Sequence, residues 1–366
     1  MKRFSFYACC LLLLFSLSAC SDQAYLDETD PSFEMESSSP LETSEPAATY
    51  TWESLFDSYE SESSQESDPA QTEHTEFDPY YESSSSESFE PEDYPAPENW
   101  RELYPNGSAG KLDGTVVVIS IFADDQYGSW DSSVKKNSDA YARVYYDLRL
   151  ACEYLSSESA KYDKDVTFLW DWMSDPNLTY EAEFDANLAN VLYDYGTIDR
   201  MVWEYIEKNV NSEGIRKRYE ADSVIYMVYA NSPSDINGPS CTRNFYAGMP
   251  YPYEICYIQM NQDTRITPPS VFAHEMLHTF GAPDIYWTDV YQNYSLDYGI
   301  TKEYVKKIAN EGLNDIMRIT WDPNTGKYLY HSIAQSITEI TAYYVGLTDY
   351  SETVETWGFQ HSQHDQ

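Results

Sequence analysis

Three side chains in the pentapeptide "HEMLH" raise the chemical question first: His274, Glu275 and His278. On a helix, residues four apart project from one face, a turn apart, so both imidazoles can reach a single cation. Glu275 falls on an adjoining face, close to that cation without being forced to bind it. The pentapeptide alone also fits two hydrogen-bonded histidines on an ordinary core helix, but the chain continues with Gly281 and then Asp284, three residues further on. A glycine there can turn the chain back and present a carboxylate to the same cation. Two nitrogens and one oxygen, with a fourth position open to water, make a donor set suited to catalytic zinc. Two neutral rings and one carboxylate leave the centre positive, enough to acidify a bound water.

The elements that must position these residues follow from hydrophobic patterning. Thr267 before Pro268 and Pro269 is a helix start signal and Gly281 a stop signal. Upstream, the β-branched run "GTVVVISIF" from Gly114 to Phe122 predicts a buried strand. A helical stretch is expected from Ser138 to Ala160 and a second strand at Val166 to Trp170, a β-α-β unit. Helical periodicity resumes from Tyr180 to Tyr219, broken at Asn211 to Gly214, before strands at Ser223 to Ala230 and Glu254 to Met260. A last helix is expected around Ser336 to Leu347.

The eleven residues "HEMLHTFGAPD" match the pattern H-E-x-x-H-x-x-G-x-x-D. This resembles the metzincin signature in the variant where aspartate replaces the third histidine, as in snapalysin-type bacterial neutral proteases. The resemblance implies an α+β zincin with a twisted mixed β-sheet, an active-site helix, a methionine turn and a C-terminal helix. It implies one catalytic Zn2+ on His274, His278 and Asp284, with Met317 of "NDIM" in the turn beneath the metal. It further implies a peptide or protein substrate, hydrolysed by a metal-activated water with Glu275 as general base. The chain departs from the small members in its long insertion between the second and third strands, and no tyrosine follows Met317. A gluzincin-like alternative takes the third ligand from a later helix, at Glu303 or Glu311. The alternative of another class is a surface binding or adhesion module that keeps the fold without the chemistry.

The 366 residues divide into three parts. Residues 1–20 read as an export signal: Lys2 and Arg3, an apolar run from Phe4 to Leu17, then small residues. Leu17 to Cys20 resembles the lipobox of bacterial lipoproteins, which implies acylation of Cys20 and a membrane anchor on the outer face of the cell. Residues 21–100 hold 23 of the 62 acidic residues and no Lys or Arg, with serine tracts and prolines, and are expected to be a disordered stalk. Charge repulsion should extend it beyond the ~50 Å of a neutral chain of its length. Residues 101–366 are expected to form the catalytic domain, one large unit with room for two lobes around a cleft. They keep 39 acidic against 20 basic residues, which argues against nucleic acid and anionic lipid as partners. Nothing in the sequence sets an oligomeric state.

Outside the cytoplasm, Cys241 and Cys256 are candidates for a disulfide, with two separate buried thiols as the other reading. The acidic clusters at Ala123 to Asp125 and Asp322 to Gly326 are candidate calcium sites or, more simply, a loop and a tight turn.

Overall fold

The computed structural model describes residues 107–130, 139–191, 195–232, 238–243, 253–261, 267–286, 298–362 and 364. The expected export signal, its Cys20 and the stalk lie outside these residues. Strand β1 (Gly114–Asp124) is buried without interruption from Val116 to Ala123, as its run of Val and Ile predicts. β2 (Val166–Leu169) runs parallel to its first half, with Gly114 opposite Val166. β3 (Thr179–Glu183) runs parallel to its second half, with Ser120 opposite Thr179. Across the sheet follow β4 (Ser223–Ser232), β5 (Cys241–Arg243) and β6 (Ile255–Asn261). β4 lies parallel to β1, β6 parallel to β4, and β5 closes the edge antiparallel to β6. The fold is α+β, with a mixed, mostly parallel sheet.

Such a sheet needs cover on both faces, and side-chain alternation shows how it is provided. On one face Phe122 meets Tyr141 of α1 (Asp139–Ala160) with ring centroids 4.5 Å apart. α2 (Tyr195–Asn209) and α3 (Ser212–Arg218) cover the opposite face, where Tyr257 donates to Asp199 at 3.1 Å and Tyr226 to Ser212 at 2.6 Å. α4 (Pro269–His278) packs beside α1, and its Phe272 stacks on Tyr229 at 5.9 Å. The chain closes with α5 (Lys302–Asn310), α6 (Glu339–Tyr344) and α7 (Glu352–Trp357).

Two expectations need correction, and one open alternative is decided. The helical stretch proposed from Tyr180 begins instead as β3 and a short 3-10 turn, and helix starts only at Tyr195. Of β3 only Ala182 is buried, so its sequence carries neither an apolar run nor a clean alternation. The helix expected at Ser336 to Leu347 spans only Glu339 to Tyr344 and is not the last, since α7 follows it. Ser336 is held in backbone hydrogen bonds with Asn314 and Ile316 and Thr338 is extended, so the helix begins only after them. Cys241 and Cys256 are both free thiols. Thr242, not Cys241, stands opposite Cys256, and a one-residue offset turns the two cysteines to opposite faces of the sheet.

Candidate metal centre

α4 begins where its prolines predict, with Pro268 at the cap and Pro269 in the first turn. Thr267 does not cap it; its hydroxyl bonds the carbonyl of Gln259 and ties the helix entry to β6. At the far end Gly281 adopts φ 98°, a left-handed conformation that suits glycine. Its amide bonds the carbonyl of His278 at 2.8 Å, and Ala282 bonds Leu277 at 3.1 Å. The chain thereby reverses and brings Asp284 back over the helix.

His274 and His278 stand edge to face, with ring centroids 4.8 Å apart. Their Nε2 atoms lie 3.2 and 3.4 Å from Oδ1 of Asp284. The far nitrogens settle the tautomers. Nδ1 of His274 lies 2.9 Å from the carbonyl of Ile316, and Nδ1 of His278 lies 2.8 Å from that of Ala282. A carbonyl only accepts, so each Nδ1 carries a proton, and each ring when neutral presents a lone pair at Nε2. Two imidazole lone pairs and a carboxylate oxygen thus converge within 4.8 Å of one another, all three residues being buried. Three electron-pair donors facing one point fit a cation. His274, His278 and Asp284 could therefore hold a metal ion, and among the described residues they are the one such group.

Without a cation the triad shares protons. Burial disfavours a charged His278, but the Asp284 carboxylate outweighs it and raises the ring to about 9. Burial likewise works against the Asp284 carboxylate, yet the facing histidines hold it well below its usual range. Glu275 stays outside the converging group. Its Oε2 accepts from the hydroxyl of Thr242 at 2.9 Å, and burial raises its carboxyl above the ordinary glutamate range.

The alternative third ligands are not brought to the site. Glu303 and Glu311 are both exposed on or just after α5, and Glu311 pairs with Lys307 at 2.7 Å. Met317 is fully buried in the turn that follows Ile316. That turn is pinned from below by Asp315, whose carboxylate accepts from the Met317 amide at 2.7 Å, the Thr338 amide at 2.9 Å and the Thr341 hydroxyl at 2.9 Å. The carbonyl of Met317 in turn receives the amide of Ile285, which ties the turn to the Asp284 segment at 3.1 Å.

A cleft of about 630 Å³ opens beside the triad, lined by Val271, His274, Glu275, Tyr286, Trp321 and Tyr328 among others. Trp321 and Tyr328 flank the Asp322 to Gly326 turn and stay about 40 % exposed or more. Sequence patterning marked none of Tyr286, Trp321, Tyr328 or Thr242, which sit on loops and on a three-residue strand without periodic signal. In the candidate calcium clusters the carboxylates accept from groups of the protein itself. Asp322 accepts from Asn324 and Thr325, and Asp125 from Tyr127, Gly128 and Leu188.

These residues define a class before any name: an α+β protein with a mostly parallel sheet and a buried two-histidine, one-aspartate group able to hold a metal ion beside an open cleft. No family model, no curated protein and no solved structure matches the chain.

Proposed function

We propose that this protein is a zinc-dependent endopeptidase of metzincin type, with His274, His278 and Asp284 as the metal ligands and Glu275 as general base. The observation that carries this reading is the position of Glu275. It adjoins three converging ligand atoms, is left out of their group, and lines the cleft through which a substrate would enter. The shape of the sheet supports the reading, with one short antiparallel edge strand bordering the site helix, as does the buried Met317 turn behind His274.

A metal ion bound there would supply Lewis acidity, polarising the scissile carbonyl and acidifying a water. The chain's own residues do the rest. The Ile316 and Ala282 carbonyls keep His274 and His278 in the tautomer that offers Nε2, a role whose loss typically weakens a metal site. Glu275 takes the water proton as the oxygen attacks the carbonyl carbon, then gives that proton to the leaving amine nitrogen.

Export, acylation at Cys20 and display on an extended stalk are part of the same proposal, resting on residues 1–100 as a sequence. They would place the cleft outside the membrane, where peptides are available. Metal analysis of the purified protein, combined with a screen against mixed peptides, tests the central reading. Near-stoichiometric zinc with chelator-sensitive cleavage is expected. Zinc without cleavage of any peptide would favour the binding module, and absence of any bound metal would remove the reading.

A further inference from the structure

Thr242 lies on β5, the short edge strand, and is 5 % exposed. Its hydroxyl stands 2.9 Å from Oε2 of Glu275, 2.8 Å from the backbone carbonyl of Glu275 and 3.3 Å from Sγ of Cys256. A threonine hydroxyl has one proton to give, so these three cannot all be bonds it donates. The Glu275 carbonyl has a second donor, the Cys256 thiol at 3.4 Å. The carboxylate oxygen has no other donor among the described residues. A hydrogen bond to an ionised acceptor is also the stronger of the two. The hydroxyl proton therefore belongs to Oε2.

The strand that carries Thr242 is anchored at both β6 and α2. Arg243 beside it meets the buried Asp199 of α2 at 3.2 Å on the opposite face of the sheet, and Tyr257 donates to the same carboxylate at 3.1 Å. A hydroxyl fixed on such a strand can fix a carboxylate in turn.

We propose that Thr242 is the positioning residue for Glu275. It holds Oε2 and so selects Oε1 as the oxygen that takes the proton from the attacking water. In that step an O–H bond of water breaks and one forms at Oε1, while the water oxygen bonds the scissile carbon and the carbonyl π pair moves onto its oxygen. The proton then passes from Oε1 to the amine nitrogen as the C–N bond breaks and the C=O bond re-forms. Nothing further is consumed. This assignment rests on the peptidase reading, but its structural half stands apart from it.

The test compares Thr242→Val and Thr242→Ser in the purified full chain, with kcat and KM measured separately, zinc content and Tm alongside, and a crystal structure of each. Loss of the hydroxyl should lower kcat about ten- to hundredfold, the range for a hydrogen bond to a charged group. KM and zinc content should stay at wild-type values. Thr242→Ser should restore kcat to within a few fold, and only the valine variant should show Glu275 in more than one rotamer. If Thr242→Val fails to fold, Thr242→Ala is measured in its place. Wild-type kcat in the hydroxyl-free variant, equal impairment of the serine variant, or a single unchanged Glu275 rotamer in the valine variant would each overturn the assignment. A wild type that cleaves nothing would instead remove the peptidase reading, and the Glu275 rotamers would still decide whether Thr242 holds that carboxylate.

Discussion

Glu254 and Glu275 are 1 % and 4 % exposed, and both carboxyls are raised by burial. Their surroundings differ in what they leave undone. Around Glu254, Oε1 accepts the Gly107 amide at 3.0 Å, and Oε2 accepts the Ser108 amide at 2.8 Å and its hydroxyl at 2.9 Å. The next amide, of Ala109, bonds the carbonyl of Thr279 just past the site helix. That region is a clip in which the carboxyl is filled by donors. Around Glu275 one hydroxyl reaches one oxygen, and the other side of the group meets a cleft. A buried carboxylate whose acceptor capacity is used up holds structure together, whereas one left partly unfilled beside a cavity is available for proton transfer.

The comparison breaks if the open region proves structural, and the largest effects are expected there. Asp284→Ala should lose zinc and with it all activity, because two imidazoles on one helix make a poor site for a cation that prefers four ligands. Glu275→Gln should keep near-stoichiometric zinc and a wild-type Tm yet lose on the order of 10²-fold or more in kcat, as for removal of a general base. Zinc content and peptidase rate measured on both variants separate metal retention from chemistry. Full zinc in Asp284→Ala would move the third ligand elsewhere; undiminished activity in Glu275→Gln would make the two glutamates alike.

Asp315 sharpens the comparison, since it is filled like Glu254 but lies directly beneath the site. Asp315→Asn replaces an acceptor oxygen by a donor facing amides and hydroxyls, and should cost about 3 kcal/mol in stability. The turn it pins carries the Ile316 carbonyl that orients His274. Zinc affinity should therefore fall about ten- to hundredfold, the usual cost of disturbing a ligand's outer partner. Denaturant unfolding and a competitive zinc titration check the two effects. A stability loss with unchanged affinity would show that the turn only supports the fold.

The same contrast explains what the sequence could and could not announce. The triad was legible because its members follow one another along a helix and its stop signal, where spacing is geometry. β1 was legible because burial on both faces demands an unbroken apolar run. Thr242 and Glu275 are 33 residues apart, Asp315 and Thr341 are 26 apart, and Gly107 and Glu254 are 147 apart. No local pattern links such partners, and polar residues at these positions look like ordinary surface until the sheet brings them together. β3 was missed for a related reason: it fills only half an edge of β1 and buries one side chain, so its sequence never had to alternate.

The smallest effect on function is expected at Glu254, where the change concerns stability alone. Burial raises this carboxyl from an ordinary value near 4.5 to about 7, against the lowering exerted by its amide and hydroxyl donors and, more weakly, by His278. Between those two pH values the folded protein keeps a proton that the unfolded chain has released. Stability then falls as pH rises through that window and levels off above it, the slope following the excess of protons bound by the folded state. Glu254→Gln, uncharged at every pH, should lack this slope, although its amide nitrogen faces the Gly107 or Ser108 donors and lowers stability by a pH-independent amount. Urea unfolding of the two proteins from pH 4.5 to 8 should show the difference between their stabilities changing by up to about 3 kcal/mol across the window. The kcat of the folded variant should match the wild type, because neither Glu254 nor its donors Gly107 and Ser108 line the cleft. Parallel stability curves would mean that the Gly107 and Ser108 donors hold the carboxylate ionised throughout, and a fall in kcat would mean that the clip does more than close the fold.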